Sequence, residues 1–85
     1  MTAEQILAVV QEAVATVLER DPATVTRATR FKEDLKADSL ALVEIVEIVE
    51  ETLLPLARAG FHIEDEDLDA MVTVGDAVDY ALARM

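Results

Sequence analysis

Apolar positions recur at helical intervals in three stretches of the chain. In the first, Ile6, Leu7, Val10, Ala13, Val14, Val17 and Leu18 follow the spacing that gathers side chains on one face of a helix. Thr2 with Gln5 three residues on has capping-box spacing, so a first helix is expected from about Ala3 to Glu19. In the second, Leu42, Ile45, Val46, Val49 and Leu53 share one face of a helix that begins at Ser39. Pro55 disfavours a helical Leu54, so this helix should stop or kink there, with Leu56 to Ala59 adding a turn and Gly60 as its cap. In the third, Thr73 and Asp76 repeat the capping signal ahead of Val74, Ala77, Val78, Ala81 and Leu82, giving a last helix from about Val74 to Ala83.

The intervening segments read differently. After the turn signal Asp21-Pro22, Ala23 to Lys32 has no sustained apolar period and is expected to be a long ordered loop, with Phe31 and Leu35 as its only large apolar anchors. Phe61 and Ile63 resume apolar contacts, and Glu64 to Met71 is expected to form a short helix that buries Leu68 and Met71. The expectation is an all-α bundle of three main helices plus one short helix, with a long loop between the first and second helices. The 85 residues suit a single domain spanning 1-85.

Composition narrows the function. Two glycines, two prolines and three aromatic residues disfavour a many-turned β-sandwich. No apolar run reaches the roughly 20 residues that cross a bilayer, and Met1 to Glu4 lacks the start of a secretory signal, so a cytoplasmic protein is expected. There is no cysteine, so any thiol chemistry must come from a prosthetic group. Eighteen acidic residues against seven basic ones give a net charge of −11, which disfavours nucleic acid and anionic lipid and favours basic protein partners. His62, the only histidine, has no spacing that makes it a general base for Ser39, so catalysis by the chain is not expected. Asp65, Asp67 and Asp69 alternate like the start of a calcium loop, but Ala70 stands at the required glycine and Asp76 at the final glutamate, so no metal site is expected.

The chemistry concentrates where the loop meets the second helix, in Asp34-Leu35-Lys36-Ala37-Asp38-Ser39-Leu40. A helix start offers free amides and the positive end of the dipole, so a phosphodiester on Ser39 would gain about 0.3 to 1 kcal/mol there. By spacing alone, Asp38 or Ser39 as a plain helix cap is the commoner explanation of the pattern, and position by itself does not establish modification. The helix face opposite the apolar one carries Leu40, Val43, Glu44, Glu47 and Glu51, with Glu50 at its margin, so it begins apolar beside Ser39 and becomes acidic. A plain solvated charged face is the competing reading, but like charges so arranged gain nothing in the isolated domain, which favours a value in encounter with a basic partner.

Phe31-x-x-Asp34-Leu35-x-x-Asp38-Ser39-Leu40, then Val43-Glu44 and Thr73-Val74-Gly75-Asp76-Ala77-Val78-Asp79-Tyr80, resembles the acyl carrier protein family over nearly the whole chain. The resemblance implies that Ser39 receives 4'-phosphopantetheine from coenzyme A and that Asp38 helps present the hydroxyl. The phosphopantetheinyl transferase that performs the step binds Mg2+ in its own active site. Leu40, Val43, Glu44, Glu47, Glu50 and Glu51 would then meet basic patches on the transferase and on acyl transferase, ketosynthase and other acyl-processing enzymes. A freestanding carrier of fatty-acid or polyketide type, monomeric, is the expectation; Ile45, Val46, Val49, Leu68 and Met71 read first as core, with a cleft for the acyl chain as the secondary reading. Lys36 stands where the family usually has glycine or another small residue, Ala41 replaces a frequent acidic one, and the stretch from Thr52 to Phe61 is several residues longer than typical. The competing class is an acidic helical adaptor that binds a basic partner and is never modified.

Overall fold

A computed structural model describes residues 2–53, 68 and 70–84. It contains helices α1 (Ala3–Leu18), α2 (Ser39–Leu53) and α3 (Val74–Ala83), and α1 packs against both of the others. The expected starts of all three helices and the end of α3 hold, while α1 ends at Leu18 and Glu19 becomes its left-handed cap with φ 55°. The stop at Pro55, the Gly60 cap, Phe61, His62, Ile63 and the acidic residues at 65, 67 and 69 lie outside the described residues. So does the expected short helix, apart from Leu68, which is helical, and Ala70 and Met71 after it.

Local chemistry explains why each helix starts where it does. At α1 the Thr2 hydroxyl accepts from the Gln5 amide at 3.2 Å, and the Thr2 amide donates to Gln5 Oε1 at 2.9 Å. At α3 the Asp76 amide donates to Thr73 Oγ1 at 3.1 Å, and Asp76 Oδ2 accepts from the amides of Thr73 at 3.0 Å and Val72 at 3.1 Å. Those amide bonds, the one from Thr73 first, hold the Asp76 carboxyl below its ordinary pKa. At α2 the capping side chain is Asp38, whose Oδ1 accepts from the Ala41 amide at 2.8 Å.

The core lies between these helices. Ile6, Val10, Ala13 and Val14 of α1 meet Leu42, Ile45, Val46, Val49 and Leu53 of α2 and Val74, Ala77, Val78 and Ala81 of α3, all buried. Each large aliphatic side chain so buried contributes on the order of 1.5 to 3 kcal/mol before its entropy cost. The apolar face read for α2 is buried in full, and Leu7, Val17 and Leu18 are half-buried at the edge of α1. Leu82 of α3 is exposed, which departs from the periodic reading and follows from its place in the last turn, at the margin of the bundle.

The loop between α1 and α2 is ordered because its backbone pairs with the segment entering α3. The Phe31 amide donates to the Val72 carbonyl at 3.0 Å, Val74 to Thr29 at 2.8 Å and Gly75 to Arg27 at 2.8 Å. These bonds flank an isolated antiparallel bridge between Arg30 and Thr73. Phe31 and Leu35 are buried as expected, but a third anchor, Val25, is fully buried beside a short 3-10 turn at Pro22–Thr24. Gln11 Nε2 of α1 donates to the Val25 carbonyl at 2.7 Å, tying that anchor down. Gly75 permits the closest approach: a Cβ there would lie 2.9 Å from the Arg27 carbonyl oxygen.

Candidate functional site

The turn that delivers Ser39 is built from Arg30 onward. Asp34 Oδ2 accepts the Arg30 amide at 2.8 Å and faces its guanidinium at 3.6 Å. The Arg30 amide bond is the largest influence holding the Asp34 carboxyl below its ordinary pKa, with the Arg30 charge adding to it. The amides of Asp34 and Leu35 close back on the Arg30 carbonyl at 3.0 and 3.1 Å, and the Ala37 amide donates to the Phe31 carbonyl at 2.9 Å. Leu35 and Ala37 are thereby buried, and the chain between and after them faces solvent at Lys36, Asp38, Ser39 and Leu40.

Lys36 has φ 57°, the left-handed region that favours glycine. The small residue that the resemblance implies at this position would therefore have a backbone cause here, and the lysine accepts the strained conformation. Arg20 braces the same turn by donating to the Leu35 carbonyl at 3.5 Å.

Ser39 is the first residue of α2 and its side chain is exposed. Asp38 takes the cap: its carboxylate holds the Ala41 amide, and its carbonyl accepts from Leu42 at 2.9 Å. No hydrogen bond to a described residue engages the Ser39 hydroxyl or the amides of Ser39 and Leu40. A free hydroxyl beside two unused amide donors at a helix start fits an esterified phosphate. The plain-cap explanation thus applies to Asp38 and leaves Ser39 available.

Around Ser39 the helix surface follows the sequence reading. Leu40 is 68% exposed and Val43 37%, and Glu44, Glu47 and Glu51 continue the exposed face. Glu50 is half-buried. Ile48, which the reading placed on neither face, is half-buried toward α1, where a shallow groove of about 260 Å³ runs between Ala8, Val9, Glu12, Thr16, Ile48 and Thr52. Of the five side chains whose secondary reading is an acyl cleft, Leu68 and Met71 border a cavity of about 230 Å³ with Arg30, Lys32, Glu33 and Val72. Ile45, Val46 and Val49 are core, as the first reading of these residues has it, and Met71 is buried with them. Among the described residues no cluster of three or more His, Cys, Asp or Glu could hold a metal ion, and no helix is long and apolar enough to cross a membrane.

Sequence reasoning missed Val25, Ala37 and the close approach at Gly75. Val25 sits between threonines in a stretch without period, and Ala37 is too small to stand out. Gly75 was visible only as part of a motif.

Comparison with known proteins agrees with this geometry. Residues 8–81 match the family model described as the phosphopantetheine attachment site. An acyl carrier protein of Exiguobacterium sp. (strain ATCC BAA-1283 / AT1b) is 46% identical over 85 residues, covering all of both chains. One from Rubrobacter xylanophilus is 42% identical over 96% of this chain and 94% of its own. A meromycolate extension acyl carrier protein of Mycobacterium leprae is 38% identical over 94% of this chain and 64% of its own. A solved acyl carrier protein structure from Enterococcus faecalis covers all of both chains, with TM-score 0.75 and 33% identity.

Proposed function

Because the chain belongs to the acyl carrier protein family, we propose that Ser39 is the residue that bears its 4'-phosphopantetheine and that Asp38 presents the serine to the transferase. As a member of that family the protein is a carrier acted on by enzymes, and its prosthetic group is phosphopantetheine. The family assignment displaces the alternative of an unmodified adaptor.

The observation that carries the Ser39 reading is the exposed, unengaged hydroxyl at the first position of α2, beside the free amides of Ser39 and Leu40. Asp38 bonds the Ala41 amide with its carboxylate, which fixes the first turn and so the direction of the Ser39 side chain. The group supplies a thiol on a long arm, on which acyl intermediates ride as thioesters. The chain supplies the anchor and a docking surface.

That surface is Leu40 and Val43 followed by Glu44, Glu47, Glu50 and Glu51. An apolar contact next to the attachment point gives short-range fit, and the carboxylates beyond it draw in basic patches on the transferase, acyl transferase, ketosynthase and other acyl-processing enzymes. Such docking is weak and transient, as a carrier visiting successive active sites requires. The chain acts as a single monomeric domain over residues 1–85 in the cytoplasm. The meromycolate extension carriers among its relatives favour extension of fatty-acyl chains over polyketide assembly.

The cysteine-free sequence gives a direct test. A thiol reagent should find no thiol in the unmodified chain and one per molecule after incubation with coenzyme A, Mg2+ and a phosphopantetheinyl transferase. A chain that gains no thiol contradicts the reading.

A further inference from the structure

Two described residues other than glycine have positive φ, Glu19 and Lys36. Glu19 caps α1, where a left-handed residue is common. Lys36 has no such role, and strain kept at an irregular position beside a functional residue invites a search for its use.

Its placement is fixed from both sides. The Leu35 amide bonds the Arg30 carbonyl at 3.1 Å, and the Ala37 amide bonds the Phe31 carbonyl at 2.9 Å. Leu35 and Ala37 point into the core, so Lys36 between them is turned to solvent, on the surface that continues through Asp38 and Ser39. Three residues of chain span at most about 10 Å, and the four-carbon stem of lysine is long and flexible.

Three of the neighbouring cations, Arg20, Arg27 and Arg30, are committed elsewhere, and Lys32, which like Lys36 closes no ion pair with a described residue, stands four residues further from Ser39. Arg27 pairs with Asp79 at 2.7 Å, Arg30 pairs with Glu33 and Asp34, and Arg20 donates to the Leu35 carbonyl. Lys36 closes no ion pair with a described residue. Its charge is felt at Asp34, which Arg30 already holds.

We propose that Lys36 is the counter-cation of the modification site, its ammonium lying beside the phosphodiester carried on Ser39. This rests on Ser39 being the attachment residue. A phosphodiester there adds a negative charge next to the Asp38 carboxylate, on a chain already at −11. A cation three residues upstream offsets that repulsion and restrains the root of the arm, and the lysine is thereby a positioning residue for the prosthetic group.

The test compares wild type, Lys36→Gln and Lys36→Arg, each melted before and after loading by a transferase, with intact mass confirming one group per chain. All three keep a non-glycine residue at φ 57°, so the backbone strain is common to them. At low ionic strength the change in Tm on loading should be about 2 °C less favourable in Lys36→Gln than in wild type. Lys36→Arg should follow wild type, and the difference should vanish near 0.5 M salt, where charges are screened within a few ångströms. Equal changes in all three proteins, or a difference indifferent to salt, would overturn the proposal. A wild type whose mass does not change on incubation overturns the Ser39 reading and this proposal together, and so is distinguishable from failure of the Lys36 role alone.

Discussion

At the scale of single residues, two backbone positions make opposite demands. Gly75 is buried against the Arg27 carbonyl, and an added Cβ would sit 2.9 Å from that oxygen. Gly75→Ala should therefore destabilise the fold by about 1 to 3 kcal/mol, the usual range for overpacking, read as a lower midpoint in urea or heat. Lys36 already bears a side chain in a glycine conformation. Lys36→Gly should stabilise the unmodified protein by about 0.5 to 1 kcal/mol, because relief of the left-handed conformation exceeds the added freedom of the unfolded chain. Both positions were partly legible in the sequence. Resemblance marked residue 36 as a site for a small residue, and the structure supplies the φ that explains it. Gly75 lay in a quoted motif, but nothing local in the sequence reveals that the loop carbonyl of Arg27 will press against it. Val25 was missed for the same reason: its burial depends on where Gln11 and the loop meet, a contact that spans 14 residues.

At the scale of elements, periodicity and capping carried most of the information. The capping boxes at Thr2 and Thr73 and the buried face of α2 could be read because their causes are local, within three or four residues. Asp76 links the α3 cap to pH. Its depressed pKa means that its contribution is fully present above the unfolded carboxyl value of about 3.9 and is lost as pH falls through the lower folded value. Asp76→Asn should thus lower the melting temperature at pH 7, with a gap from wild type that narrows below about pH 4. Thermal melts across that range check it, and a gap that widens in acid contradicts it. The two faces of α2 should separate fold from docking. Ile45→Ala removes a buried side chain and should cost about 2 to 4 kcal/mol of stability. Glu44→Lys with Glu47→Lys should leave the melting temperature equal or higher, while lowering kcat/KM for phosphopantetheine transfer about tenfold and flattening its salt dependence.

At the scale of the whole molecule, the acidic surface that favours basic partners also strains the compact state. A net charge of −11 on 85 residues creates self-repulsion, which salt screens. The melting temperature should rise by several degrees between about 20 mM and 0.5 M sodium chloride, and a midpoint indifferent to salt would contradict the electrostatic account. Three helices around one core were readable from sequence, whereas the pairing of the α1–α2 loop with residues 72–75 was not, since a single bridge leaves no strand pattern. That pairing anchors the turn which ends at Ser39, so the structure explains how a loop without periodicity holds the attachment residue in place. The most direct test of the central claim is intact mass after incubation with coenzyme A, Mg2+ and a broad-specificity phosphopantetheinyl transferase. The account predicts a gain of one phosphopantetheine in wild type and none in Ser39→Ala; no gain in wild type, or a gain that survives Ser39→Ala, would contradict it.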